Sequence, residues 1–284
     1  MEFQQTIAAP IEISGVGLHS AQHVHLTILP APENYGIVFE RVDLRCNNLI
    51  PARFDNVVST SLCTTIGNSH GVMVGTIEHL MSALWGHKID NVHIQINNCE
   101  VPIMDGSSSA FVKLIEEAGI IPQKACRKII KIVNEVEFNV DGQCIKISPS
   151  DSFGIDLTIN YSDPAIGQQS LSFYEEDNFD KDISNARTFG FVKDLEALQD
   201  KGLALGASME NAIAISDHGV MNKEGLRYAD EFVRHKILDC IGDLYLAGAR
   251  IQGYVQAFKT GHAVHNKFLR KLFAQQEAYI YLTS

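Results

Sequence analysis

Basic residues are in short supply in this chain. Twenty-three lysines and arginines stand against 34 aspartates and glutamates, a formal net charge of −11 over 284 residues. Without a cationic surplus to replace counterions, diffuse binding to nucleic acid or to an anionic membrane surface is excluded as a main activity. One or two lysines still suffice for a local phosphate site. Long hydrophobic runs are also missing, although 45% of the residues are hydrophobic. No stretch approaches the ~20 apolar residues that a membrane-spanning helix needs. Met1 to Pro10 is polar and carries no signal-peptide pattern. The six cysteines (Cys46, Cys63, Cys99, Cys126, Cys144 and Cys240) include no C-x-x-C pair and no disulfide-framework spacing. Reduced thiols in a cytoplasmic protein are therefore expected. A glycine-rich phosphate loop is absent, since the GVG at 15–17 lacks the required continuation, and so is the H-E-x-x-H of zinc proteases. No oligomeric partner is implied, and no sequence repeat is obvious.

What is present reads as two mixed halves. Val24, Leu26 and Ile28, then Val92, Ile94 and Ile96, alternate as half-buried strands do. Between them TIEHLMSALWG predicts a short helix with Thr76 as N-cap and Gly86 as stop. A second helix is expected after Asp105, ending at Gly119. Residues 122–131, which show no strong periodicity, form the expected boundary between a domain at 1–126 and another at 127–284. Beyond it, EVEFNVDGQCIKI predicts a hairpin turning at Asp141-Gly142, with Val136 opposite Ile147 and Phe138 opposite Ile145. Further strands are expected at IDLTINY, NAIAIS, YVQAF and AYIYL. Helices are expected at 192–200, about 223–247 and about 263–277. The fold class is α+β, with two helices layered on a mainly antiparallel sheet in each half.

Three features suggest chemistry. His235, Asp239 and Asp243 lie four apart, a single polar stripe on an otherwise apolar helix. Burying carboxylates beside an imidazole is costly unless they are paired or bind a metal. A structural His–Asp hydrogen bond or a solvated seam produces the same spacing. Glu78-His79 opens the helix after Thr76, where the dipole disfavours imidazolium and keeps His79 a competent neutral ligand. A glutamate and a surface histidine at a helix start are also commonplace. Together His79, His235 and Asp239 make two nitrogens and a carboxylate, the composition of a catalytic zinc site with room for water. His262 follows a glycine at a strand-to-helix junction. If Asp243 bonds its ring, the charged form is favoured and a proton donor results. His70, His87, His218 and His265 are assigned capping or surface roles.

TIEHLMSAL, VPIMDGS, ARTFGF, FVRHKILDCIGDLYL and the Gly-His of TGHAVHNK occur in the order found in the UDP-3-O-acyl-N-acetylglucosamine deacetylases of lipid A synthesis, and the chain resembles that family from GVGLHS onward. The resemblance implies zinc, with Fe²⁺ possible in the cell, held by His79, His235 and Asp239. It implies Glu78 as general base, His262 as general acid or electrostatic partner oriented by Asp243, and Thr188 at the oxyanion. Lys236 would meet the phosphate or sugar side of the UDP-linked acylated glucosamine, and Phe189 and Tyr161 its rings. Cys63 and His19 would lie close to the metal site. A β-α-β insert at about 189–215 would form an acyl passage lined by Phe191, Leu195, Leu203 and Ala207. Departures from the family are Ala21 and Ala207 where glycine is frequent, and Gln143 where a lysine is sometimes used.

Overall fold

The computed structural model describes residues 2–283, with six α-helices among them: α1 (Glu78–Gly86), α2 (Ser109–Ala118), α3 (Phe179–Asp182), α4 (Val192–Gln199), α5 (Glu231–Tyr245) and α6 (His262–Ala274). The first half carries a five-stranded sheet in the spatial order Ile11–Val16, His23–Pro30, Val92–Ile96, Ile37–Arg41, Leu49–Pro51. Its expected alternation holds: Leu26 pairs with Ile96 and Ile28 with Ile94, all with 0% exposure. Polar neighbours such as His25 and Gln95 point the other way, as a period of two requires.

The second half repeats this arrangement. Its sheet runs Val136–Val140, Gln143–Ser148, Tyr254–Phe258, Gly154–Asn160, Gln168–Tyr174. In both sheets the fifth strand in sequence sits between the second and third. It pairs parallel with the third, while every other pairing is antiparallel. The hairpin register is the expected one, Val136 opposite Ile147 and Phe138 opposite Ile145, with Asp141 and Gly142 at φ 46° and 75°. Two consecutive positive φ values are what a tight turn matching the strand twist demands.

In each half a buried helix precedes the fifth strand and a second helix comes after it: α1 and α2, then α5 and α6. Glu78 through Trp85 of α1 are all buried, as are all residues of α5 except Arg234 and Lys236. Helices apolar on nearly every side belong in a core, and α1 and α5 pack directly on each other. Gly242 makes this approach possible, because a Cβ there would overlap the Glu78 carbonyl oxygen and lie 2.9 Å from its carbonyl carbon.

Three expectations need correction. Helix α5 begins at Glu231, not near 223. Gly225 has φ +70°, and the Glu231 carboxylate accepts the Arg227 and Arg187 backbone N–H groups, holding 223–230 as turns. Thr76 is not an N-cap: its φ is +55° and its hydroxyl donates to Glu100 Oε1 at 3.0 Å, so α1 starts after Ile77. The helix does end at Gly86, as expected, with His87 as its C-cap; a Cβ on Gly86 would overlap the Phe179 ring. The stretch 122–131, expected to lack periodicity, is mostly strand: Ile120–Cys126 pairs with Phe3–Ile7, and Lys128–Ile132 pairs with two strands of the second half.

The insert is a β-α-β unit. Phe189–Phe191 and Ile213–Ser216 pair in parallel with α4 between them, and Gly219–Val220 adds an antiparallel strand.

Candidate active site

The site forms where the first turn of α1 meets the middle of α5. His79 Nε2 lies 3.6 Å and His235 Nε2 3.3 Å from Asp239 Oδ1, with the two rings edge to face at 5.0 Å. His235 Nδ1 lies 3.1 Å from the Ala186 carbonyl, which can only accept, so the neutral ring keeps its lone pair at Nε2. Burial drives His235 down to about 3 against the opposing pull of Asp239, so the imidazole is neutral at physiological pH. Lys236 Nζ takes the other oxygen of Asp239 at 2.6 Å. Asp239 Oδ1 is buried and has no hydrogen-bond partner among the described residues. An unpartnered buried carboxylate oxygen is expensive. Facing two imidazole nitrogens, it has the donor set of a divalent metal centre. Ligands about 2.0–2.1 Å from a tetrahedral ion stand roughly 3.3 Å apart, close to the separations found. The residues fit a metal.

A second network lies beside the first. Glu78 Oε1 is 3.6 Å from His262 Nε2, while Thr64 N–H donates to Glu78 Oε2 at 3.1 Å. Burial pushes the Glu78 carboxyl up to about 7, against the lowering effect of His262. His262 Nδ1 sits 2.7 Å from Asp243 Oδ2. Burial works to lower the His262 pKa, but Asp243 and Glu78 outweigh it and hold the ring at about 10. Burial alone would raise Asp243; the His262 and His265 imidazoles outweigh it and keep its carboxyl well below the usual range.

Both networks border a cavity of about 490 Å³. Its lining includes His19, Cys63, Thr188 and Lys236 as well as Glu78, His79, His235, Asp239 and His262. Thr188 is pinned by backbone bonds to Gly106 and Ile213, each 2.8 Å. The Phe189 ring stands edge-on to Tyr161 at 5.7 Å, with Lys236 Nζ 5.6 Å from its centre. The GVGLHS loop is tied down by Glu100, which accepts the His19 and Ser20 N–H groups, and His19 Nδ1 accepts from Ala204 N–H. The insert contributes Phe191, Val192, Leu195, Leu198, Ala204 and Ala207 to the same lining.

A family model for UDP-3-O-acyl N-acetylglycosamine deacetylase matches residues 4–274. The chain belongs to this family. Among curated relatives, the UDP-3-O-acyl-N-acetylglucosamine deacetylase of Shewanella frigidimarina (strain NCIMB 400) is 46% identical over 98% of this chain and 92% of its own length. Proteins of the same name from Idiomarina loihiensis (46%; 99% and 92%) and Pasteurella multocida (strain Pm70) (45%; 99% and 93%) are as similar.

Of the residues to which the family resemblance gives a role in the site, all but Asp243 and Leu203 border the cavity. Asp243 stands behind His262 and touches it there. Leu203 does not line the cavity, which corrects the expectation. Gly202 turns the chain at φ +73°, and Leu203 N–H closes α4 onto the Leu198 carbonyl. Leu198 and Ala204, on either side of that turn, line the cavity instead. His265, expected in a capping or surface role, is instead 0% exposed, with Nδ1 2.7 Å from Asp243 Oδ2 and Nε2 2.9 Å from Thr260 Oγ1. Its signal was available, since residues three apart on a helix share a face with His262. Thr64, whose hydroxyl donates to Asp243 Oδ1 at 2.5 Å, had no such signal. Ala21, where the family favours glycine, adopts φ +54°, the left-handed backbone that glycine enters without strain.

Proposed function

We propose that this chain hydrolyses the N-acetyl group of UDP-3-O-acyl-N-acetylglucosamine, releasing acetate and the free amine, the committed step of lipid A biosynthesis in Gram-negative bacteria. The observation that carries the reading is that two clusters border one partly apolar cavity. One is a two-histidine, one-carboxylate donor set; the other is a buried Glu78–His262 couple set to exchange protons. His79, His235 and Asp239 would hold the cation, Zn²⁺ in our reading, although the same donors accept Fe²⁺. Bound there, the ion supplies Lewis acidity toward the amide carbonyl and lowers the pKa of water toward ~7.

The chain's own residues then divide the work. Glu78, with a carboxyl near 7 and one oxygen fixed by the Thr64 N–H, takes the proton of the attacking water. Thr188 donates to the oxygen on which negative charge develops, and the positive His262 ring adds electrostatic support. His262 then delivers its Nε2 proton to the departing glucosamine nitrogen, while Asp243 holds Nδ1 and sets the ring's direction. Lys236 faces the phosphate and sugar side. Phe189 and Tyr161 supply rings for the sugar and uracil, and His19 and Cys63 line the wall beside them. Phe191, Leu195 and Ala207 receive the acyl chain. We divide the chain into domains at 126/127 and assign it to the cytoplasm, where its six free thiols stay reduced. Among the described residues no helix is long and apolar enough to cross a membrane.

The deciding experiment measures acetate release from labelled substrates with and without the 3-O-acyl chain, together with metal content. Release that depends on the acyl chain, and a His79→Ala variant that loses both metal and turnover, support the reading. Equal release from a sugar without the chain would point to a general amidase. Loss of metal from Glu78→Ala would make Glu78 a ligand and remove the proposed base.

A further inference from the structure

Outside the active site, three donor side chains from three helical segments converge. His87 closes α1 and its side chain is nine-tenths buried. Its Nε2 lies 3.6 Å from Asp180 Oδ2 on α3 and 4.0 Å from Glu116 Oε1 in the last turn of α2. All three atoms lie within 4.8 Å of one another.

These separations are not those of an ordinary histidine–carboxylate bond. Where such bonds form in this protein they are short: 2.7 Å for His93 with Glu40 and 2.7 Å for His262 with Asp243. His87 instead faces two carboxylates at once, each beyond hydrogen-bond length. The 3.6 and 3.3 Å spacings of His79 and His235 with Asp239 are similarly long. The atoms that face one another are His87 Nε2, Glu116 Oε1 and Asp180 Oδ2; the other ring nitrogen, His87 Nδ1, and the other carboxylate oxygen, Asp180 Oδ1, are buried without a hydrogen-bond partner among the described residues. Neither carboxylate pairs with a lysine or arginine among the described ion pairs. The cluster also sits at the C-terminal ends of α1 and α2, where exposed carbonyls favour a cation.

We propose that His87, Glu116 and Asp180 form a second divalent-metal site, separate from the catalytic donor set and suited to a first-row transition ion. One imidazole and two carboxylates match Zn²⁺, Co²⁺ or Ni²⁺ better than Ca²⁺, which prefers an all-oxygen shell. The Glu116 side chain is 59% exposed and can swing inward, whereas His87 is held by its burial. Exposure of Glu116 and Asp180 leaves the remaining coordination positions to water and gives the ion a path in. Occupancy would cross-link α1, α2 and α3.

The test uses the full chain, stripped of metal, as a His79→Ala/His235→Ala variant lacking both imidazoles of the catalytic set. Co²⁺ alone is titrated in, followed by visible absorption and equilibrium dialysis. One saturable equivalent is expected, with binding weakened at least ~10-fold by adding His87→Gln or Asp180→Asn. Paramagnetic broadening should fall on the amides around His87, Glu116 and Asp180. No uptake up to about 1 mM Co²⁺, or uptake indifferent to both added changes, overturns the proposal. If the double variant does not fold, the same comparison is made in the otherwise native chain. There His87→Gln and Asp180→Asn must each remove one bound equivalent, and loss of none is a refutation.

Discussion

Replacing Gly242 by alanine adds one methyl group to a helix it should suit, and it should nevertheless disable the site. In α5 the change is favourable by intrinsic propensity, about 1 kcal/mol toward helix. Against that, the new Cβ would overlap the Glu78 carbonyl oxygen and sit 2.9 Å from its carbon and 3.1 Å from its Cα. These are backbone atoms of a buried helix and cannot rotate aside. Ordinary contact requires α1 and α5 to separate by about 1 Å, a displacement that can cost ~100-fold in rate when reacting groups depend on it. Here it bears directly on the site, because α1 carries Glu78 and His79 while α5 carries His235, Asp239 and Asp243. The 3.6 Å between His79 and Asp239 would widen, and so would the 3.6 Å between Glu78 and His262. Overpacking should also cost ~1–3 kcal/mol of stability. The expected outcome for Gly242→Ala is a folded protein with turnover down by about 100-fold and weakened metal retention, read by steady-state kinetics, metal analysis and chemical denaturation. Gly242→Ala turnover within threefold of the native value would show that the close approach of the helices does not set the site's geometry.

Other outcomes follow from the same contacts. Thr64→Val keeps the shape but leaves Asp243 Oδ1 without its donor, so a stability loss of ~1–3 kcal/mol is expected with turnover reduced and KM little changed; unaltered turnover would deny the threonine a positioning role. His262 has its folded pKa raised to about 10, above the ~6.5 of an unfolded chain. Its contribution to stability is therefore complete below about pH 6.5 and is lost as pH rises through 10. Denaturation of metal-stripped protein across that window should lose stability more steeply for the native chain than for His262→Asn, and equal slopes would contradict the network. Leu198→Trp should shorten the acyl chain that is accepted, whereas Leu203→Ala should leave chain-length preference unchanged; competition assays with substrates of graded length separate the two.

Local patterns made much of this protein legible before any tertiary structure. Alternation placed Leu26, Ile28, Ile94 and Ile96 on one face because side chains in strands alternate by geometry. Asp141-Gly142 set the hairpin register because few residue pairs tolerate two positive φ values. The four-residue spacing of His235, Asp239 and Asp243 put them on one face of α5 for the same kind of reason. These properties depend only on neighbours in the chain. The meeting of α1 with α5 does not: it rests on Gly242 passing against the Glu78 backbone, a contact between segments far apart in sequence. Nor could spacing show that Thr64 and His265 hold Asp243, that Gly202 turns Leu203 away from the cavity, or that His87 faces two carboxylates. The two halves share one strand order without an obvious sequence repeat, since a topology constrains where apolar faces lie and leaves residue identities free. Which side chains can line one face was settled along the chain; which faces come together was settled by packing, because burial joins surfaces without regard to their distance in sequence.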